Sequence, residues 1–309
     1  MPAVGLMRNV LLAGSQNAWL RERATRYPFV RRSVSRFMPG EHVEDALDAA
    51  RRLQVSNITT ILTQLGENLT HPDEADEVTA HYLDVLDRIK ASGLDAQISI
   101  KPTQLGLDLN ADQCYRNLQR LVDHAAAFRS TVWMDMESSA YVDPTLALYR
   151  RVRGTSDNIG VALQAYLYRT SADFDALLPL APSIRLVKGA YREPASVAFP
   201  RKRDVDANFF TLASRMLAAR RGFLAVASHD AALLSRIEQF IAAHGVPNDA
   251  YEFEMLYGIQ RGLQTRLAGE GRRLRVLISY GEHWFPWYMR RLAERPANVW
   301  FVAKSLFSG

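Results

Sequence analysis

The stretch AQISIKPTQLGLDLNADQCYRNLQRLVDHAAAFRSTVWMDM, residues 96–136, decides the fold class. It opens on a short β-type run (AQISIK, 96–101), passes through a segment with apolar residues at helical spacing (112–128), and ends on a second apolar run (TVWMDM, 131–136). Strand, helix and strand in that order make a βαβ unit, whose two strands run parallel. Working outward, six more runs follow the same rhythm: ITTILTQ (58–64), IGVALQAY (159–166), IRLVKG (184–189), FLAVAS (223–228), YEFEML (251–256) and RLRVLIS (273–279). Apolar runs of this kind suit parallel strands covered on both faces. Amphipathic stretches at 74–91, 144–153, 205–220 and 231–244 lie between them, and Asp112, Asp143, Asp204 and Asp230 stand where helix caps belong.

Eight strands alternating with helices predict an α/β chain folded as a closed (β/α)8 TIM barrel. The first strand has no G-x-G-x-x-G turn, which argues against an open dinucleotide-binding sheet. The barrel takes residues 57–309. Residues 1–56 form an N-terminal helical arm, with helices at 10–23 and 43–54 joined by the basic loop 31–40.

Composition narrows the class. Of 309 residues, 48% are apolar and only one is cysteine, which excludes disordered, collagen-like and disulfide-framed chains. Lys plus Arg number 38 against 33 Asp plus Glu, and the surplus is spread along the chain without an aromatic-interleaved basic face, so nucleic acid is not an expected partner. No apolar run is long enough for a membrane span or a signal-peptide core, so the expected location is the cytoplasm. H-E-x-x-H, C-x-x-C and G-x-x-x-x-G-K-[ST] are absent, leaving no metal or phosphate-loop motif.

In such a barrel, chemistry gathers at the C-terminal ends of the strands. There the sequence places Lys101, Asp135, Glu137, Gln164, Tyr166, Lys188, Tyr191, His229, Asp230, Glu254 and Tyr257, followed by HWFPWYMRRLAERPAN with Arg290 and Arg291 on a short helix. Singly, each has a plain structural reading. Lys101 and Asp135 could be an ion pair at the mouth, His229 a hydrogen-bonded core histidine, and Arg290 with Glu294 an i, i+4 surface pair.

Together the strand ends are far more specific. SIKPTQLGLDL (99–109), MDMES (134–138), LQAYLYR (163–169), RLVKGAY (185–191), ASHD (227–230), FEMLYG (253–258) and YGEHWFPWYMRRLAERPAN (280–298) resemble, in order and spacing, the segments of proline dehydrogenase. That family is a group of flavoenzymes with a distorted (β/α)8 barrel. The resemblance implies that Arg290, Arg291 and Lys101 hold the substrate carboxylate, that Asp135 organises these cations, and that Glu294 braces the arginine helix. A guanidinium fork with an ammonium is what a buried carboxylate needs. It also implies that Ala190, Tyr191 and Leu256 line the ring pocket. FAD contacts fall on Gln164, Arg185, Lys188, Gly189, Ala190, Ser228 and His229, with Arg185 near flavin N5.

The implied reaction is oxidation of L-proline, or a close analogue, to 1-pyrroline-5-carboxylate by hydride transfer from C5 to FAD. A quinone or another acceptor reoxidises the flavin, and any membrane contact is peripheral. Three positions depart from the family pattern. Leu277 and Trp287 stand where pocket tyrosines are usual, and Glu254 replaces a frequent glutamine. The first two leave open a dehydrogenase for hydroxyproline or another cyclic or carrier-linked amine, although the nearby phenols of Tyr280 and Tyr288 could fill the gap. A different chemistry, a Schiff-base aldolase using Lys101 or Lys188, is the alternative on the same barrel.

Overall fold

The computed structural model describes residues 34–66 and 69–294, with side chains as far as Met289. The helix expected at 10–23 lies outside the described residues. Eight parallel strands close in chain order: β1 (Thr59–Gln64), β2 (Ala96–Ile100), β3 (Val132–Met134), β4 (Ile159–Gln164), β5 (Ser183–Val187), β6 (Phe223–Ala227), β7 (Tyr251–Leu256) and β8 (Leu274–Tyr280). The seam is continuous, from Thr59 beside Arg275 to Gln64 beside Tyr280. All eight expected runs are strands. Several are trimmed at their C-terminal ends, so that Lys101, Asp135 and Lys188 stand just beyond the sheet.

Between the strands run α2 (Pro72–Ala91), α3 (Ala111–Ala126), α4 (Val142–Arg153), α5 (Thr170–Leu177), α6 (Lys202–Ala219), α7 (Ala231–Ala243) and α8 (Arg261–Gly269). They are preceded by α1 (Val43–Gln54) and followed by α9 (Trp284–Glu294). Of the four aspartates expected as caps, Asp230 caps α7 by accepting from the Leu233 amide. Asn110 caps α3 instead of Asp112, and Tyr141 and Arg201 occupy the cap positions of α4 and α6. Asp112, Asp143 and Asp204 sit in the first turns, where a carboxylate still meets the positive end of the helix dipole.

Strand side chains alternate between the helical layer and the barrel interior. Ile61, Trp133 and Ala225 fill the interior floor, with Phe223 and Leu277 packed on them. A Cβ on Gly160 would come 2.4 Å from the Trp133 ring, so only glycine leaves room for the indole. Trp133 Nε1 donates to Gln97 at 2.7 Å.

The first and last helices take unequal places. α1 packs on β1 and β8, covering the seam, and its Ala46, Ala49 and Ala50 belong to the main core. α9 joins a separate apolar cluster in which Trp284, Phe285 and Tyr288 meet Phe37 and Leu65. Trp284 Nε1 donates to Glu41 at 2.8 Å, tying α9 to the chain segment before α1.

Candidate active site at the barrel mouth

Because all eight strands are parallel, their C-terminal ends form one rim, and the polar residues expected at those ends stand along it. Arg185 on β5 points inward and is 3% exposed. Its Nε donates to Glu254 Oε2 on β7 at 2.6 Å, and its Nη1 to Asp135 at 2.9 Å and Ser99 Oγ at 2.8 Å. Ser99 in turn donates to Asp135 at 2.8 Å. The guanidinium lies 4.6 Å over the Trp133 ring, an arrangement that favours a cation on the π face. Arg185 Nη2 is buried with no partner among the described residues, and so is Glu254 Oε1. Burial pushes the Glu254 carboxyl up to about 7 despite the opposing pull of Arg185, with Glu252 on the same strand adding to the rise.

A second group of charges stands at the ends of β5 and β6. Lys188 Nζ donates to Asp206 at 2.5 Å and Asp230 at 2.8 Å, and Lys202 shares both carboxylates. Burial raises the Asp230 carboxyl, but its bonds to Lys188 and Lys202 outweigh this and hold it well below the usual range. Next in the chain, Gly189 adopts φ +111°, and a Cβ there would lie 2.3 Å from the Tyr166 ring. Ala190 is exposed and Tyr191 half-buried on the same loop.

The remaining expected residues are spread around the rim. Lys101, directly after β2, is nearly buried. Gln164 is buried at the end of β4 and donates to the Glu137 carbonyl at 2.7 Å. Ser228 Oγ accepts from the Asp230 amide at 3.2 Å. His229 Nε2 accepts from the Leu256 amide at 2.9 Å, which assigns its proton to Nδ1 and ties β6 to β7. Leu256 and Leu277 are register partners on β7 and β8.

Among the described residues, Asp135 meets Ser99 and, on β5, Arg185. One sequence expectation changes. Tyr280 does not fill the gap left at Leu277, because the two lie an odd number of residues apart and face opposite sides. Its hydroxyl instead bonds His81 at 2.8 Å on the outer side. Trp287 and Tyr288 are buried in the mouth cluster of α9. The side chains of Arg290, Arg291 and Glu294 lie outside the described residues. Sequence reading passed over Ser99, Trp133, Lys202 and Asp206. The first two stand two positions before Lys101 and Asp135, and period-two alternation could have found them.

Residues 46–304 match the sequence model described as Proline dehydrogenase. The chain belongs to the proline dehydrogenase family. It is 38% identical to Proline dehydrogenase 1 of Bacillus subtilis subsp. natto over 97% of this chain and 99% of that protein. It is also 38% identical to the proline dehydrogenase of Deinococcus radiodurans, over 89% of this chain and 90% of that one. Among solved structures it resembles proline utilization A (PutA) of Bdellovibrio bacteriovorus inactivated by N-propargylglycine, with a TM-score of 0.79 at 22% identity over 85% of this chain. PutA of Bradyrhizobium japonicum gives 0.74 at 24% identity. The chain spans about a third of the length of these PutA chains (32%), and the likeness to them shows the barrel fold. As a proline dehydrogenase family member it is an oxidoreductase. Among the described residues, no helix is long and apolar enough to cross a membrane.

Proposed function

We propose that this proline dehydrogenase family member oxidises L-proline to 1-pyrroline-5-carboxylate with FAD as its cofactor. The observation that carries the proposal is the buried Arg185, held by Asp135 and Glu254 with Nη2 unspent, at the mouth of a barrel ringed by Lys101, Gln164, Lys188 and His229. These residues fit a flavin. A buried donor without a partner needs an acceptor, and the left-handed Gly189 offers a backbone approach that no side chain could share.

For the hydride that leaves proline C5, FAD, when bound, would supply the two-electron acceptor. Gln164, Arg185, Lys188, Gly189, Ala190, Ser228 and His229 would hold it. Lys101, with Arg290 and Arg291 on α9, would grip the substrate carboxylate, and Glu294 would brace that helix. Ala190, Tyr191, Leu256, Leu277 and Trp287 would enclose the ring and keep water from it. No side chain need act as a strong base if the amine binds neutral. A quinone or another acceptor would regenerate FAD, through peripheral contact if that acceptor is a membrane quinone. The proposal takes residues 57–309 as the catalytic barrel and 1–56 as an arm whose last helix, α1, covers the seam.

Purified protein should be yellow and should bleach anaerobically with L-proline. Protein that neither carries nor takes up FAD would overturn the assignment. One observation favours a second reading: Leu277 presents an apolar inner face, and Tyr280 does not compensate for it. An apolar wall rejects an added hydroxyl weakly, by about 10²-fold. Values of kcat/KM for 4-hydroxyproline within that factor of proline would support the broader substrate range. For the aldolase reading Lys188 is a poor nucleophile, because it is ion-paired with two carboxylates, the reverse of the desolvated setting of a Schiff-base lysine.

A further inference from the structure

Among the described residues, two buried guanidinium groups meet four carboxylates in and beside the barrel interior. Arg185 from β5 and Arg275 from β8 face Asp135 after β3, Glu252 and Glu254 on β7, and Asp95 before β2. Of these carboxylates Asp95 is largely exposed, and Glu252 is fully engaged by Arg275 at 3.0 and 3.2 Å. Register places Ala227 of β6 and Arg275 of β8 beside Glu254, and Ser99 of β2 bonds the same guanidinium that Glu254 holds. Lys101 and His229 follow the ends of β2 and β6 at the rim.

Glu254 is the carboxylate least compensated. It is 3% exposed, and only one of its oxygens is bonded. A side-on guanidinium fork would use Nε and Nη2 against both carboxylate oxygens. Here Nε is taken by Oε2, while Nη2 and Oε1 are both buried without a partner among the described residues. The contact therefore survives a proton on Oε1, since Oε2 accepts from Nε as a carboxylate or as a carboxylic acid carbonyl.

We propose that Glu254 is a positioning residue that keeps Arg185 in place in both of its protonation states, while its proton decides how much positive charge Arg185 presents to the flavin. With Glu254 neutral, Asp135 is the one anion left on the guanidinium among the described residues. With Glu254 ionised, two anions share one cation, and the field that favours electron gain by the flavin weakens. Burial raises this carboxyl to about 7, which places the change near neutrality. The proposal rests on the reading that the mouth holds FAD.

The test is the midpoint potential of the FAD-bound protein from acid to alkaline pH, for wild type and Glu254→Gln. The amide keeps an acceptor for Arg185 Nε but cannot ionise. Wild type should show an extra fall across neutrality that Glu254→Gln lacks. On the alkaline side the variant should favour reduced flavin by on the order of tenfold, or about 30 mV for a two-electron couple. Parallel profiles for the two FAD-bound proteins would overturn this proposal and leave the assigned function standing. Absence of FAD binding in wild type would overturn both. If the variant does not fold, carboxyl-13C-glutamate NMR of wild-type apoprotein decides, because one glutamate must titrate near neutrality. Glutamates titrating only in the acid range would overturn the proposal.

Discussion

A methyl group added at Gly160 would meet the Trp133 ring at 2.4 Å, and that ring is the surface on which Arg185 rests at 4.6 Å. Gly160→Ala should therefore push the indole off its rotamer and cost about 1–3 kcal/mol, the usual range for overpacking a dense core. Urea unfolding should show a lower midpoint with an unchanged slope, and an unchanged midpoint would mean that the floor yields freely. Glu254 gives a second expectation at this scale. Its carboxyl is raised in the fold from 4.5 to about 7, so its contribution is fully present below 4.5 and is lost as pH rises through about 7. Stability of the apoprotein should fall over that window, and Glu254→Gln should flatten the fall. The residues that carry these effects were unequally legible. Lys101 and Asp135 stand out in sequence because charges at strand ends are unusual among apolar runs, whereas Arg185, inside the run of β5, came only with the family resemblance. Ser99 and Trp133 look like ordinary strand residues until alternation places them on the same inner face as their charged neighbours.

Elements at the two ends of the barrel exchange the places that simple alternation would give them. The helix before β1 covers the seam, which frees the helix after β8 to lie in the mouth cluster. The helix at 43–54 was legible from its apolar spacing, and its use as the covering of β1 and β8 was not, because periodicity reports which face is buried and not against what. Cap positions were misread for a related reason: aspartate is favoured both at a cap and in the first turn, and the sequence pattern does not separate them. α9 is held by the apolar cluster and by Trp284 Nε1 on Glu41. Trp284→Phe keeps most of the ring and removes that bond, at a cost of about 1 kcal/mol. If α9 presents Arg290 and Arg291 to the substrate carboxylate, the loosened helix should raise KM for proline several-fold while flavin content stays unchanged. Arg291→Lys, which keeps charge and loses the fork, should raise it more. Steady-state kinetics on both variants checks the order, and a KM unmoved by either would detach α9 from substrate binding.

At the scale of the whole molecule the closed sheet makes distant sequence segments mechanically common. The residues assigned to the flavin come from β4, β5 and β6 and the turns after them, and those assigned to the substrate come from the end of β2, the loop after β5, β7, β8 and α9. Neighbouring strands are bonded all the way round, from β1 through to the seam with β8, so the strands that carry this rim form one continuous sheet. The formal charge of +5 also has a different meaning at this scale. Among the described residues, the mouth cations Arg185, Lys188 and Lys202 are each matched by carboxylates, an ordered pattern of both signs. Ligand binding to such a rim should be felt by the entire barrel. At a hundredfold excess over Kd, FAD should add about 2.7 kcal/mol to the folded state. For a chain of this size roughly 2 °C of Tm accompanies each kcal/mol, so melting should move up by about 5 °C. Calorimetry with and without FAD should show one transition that shifts as a whole. A split melt, in which part of the signal ignores FAD, would show that the strands do not act as one closed unit, and an unshifted single melt would remove flavin from the mouth.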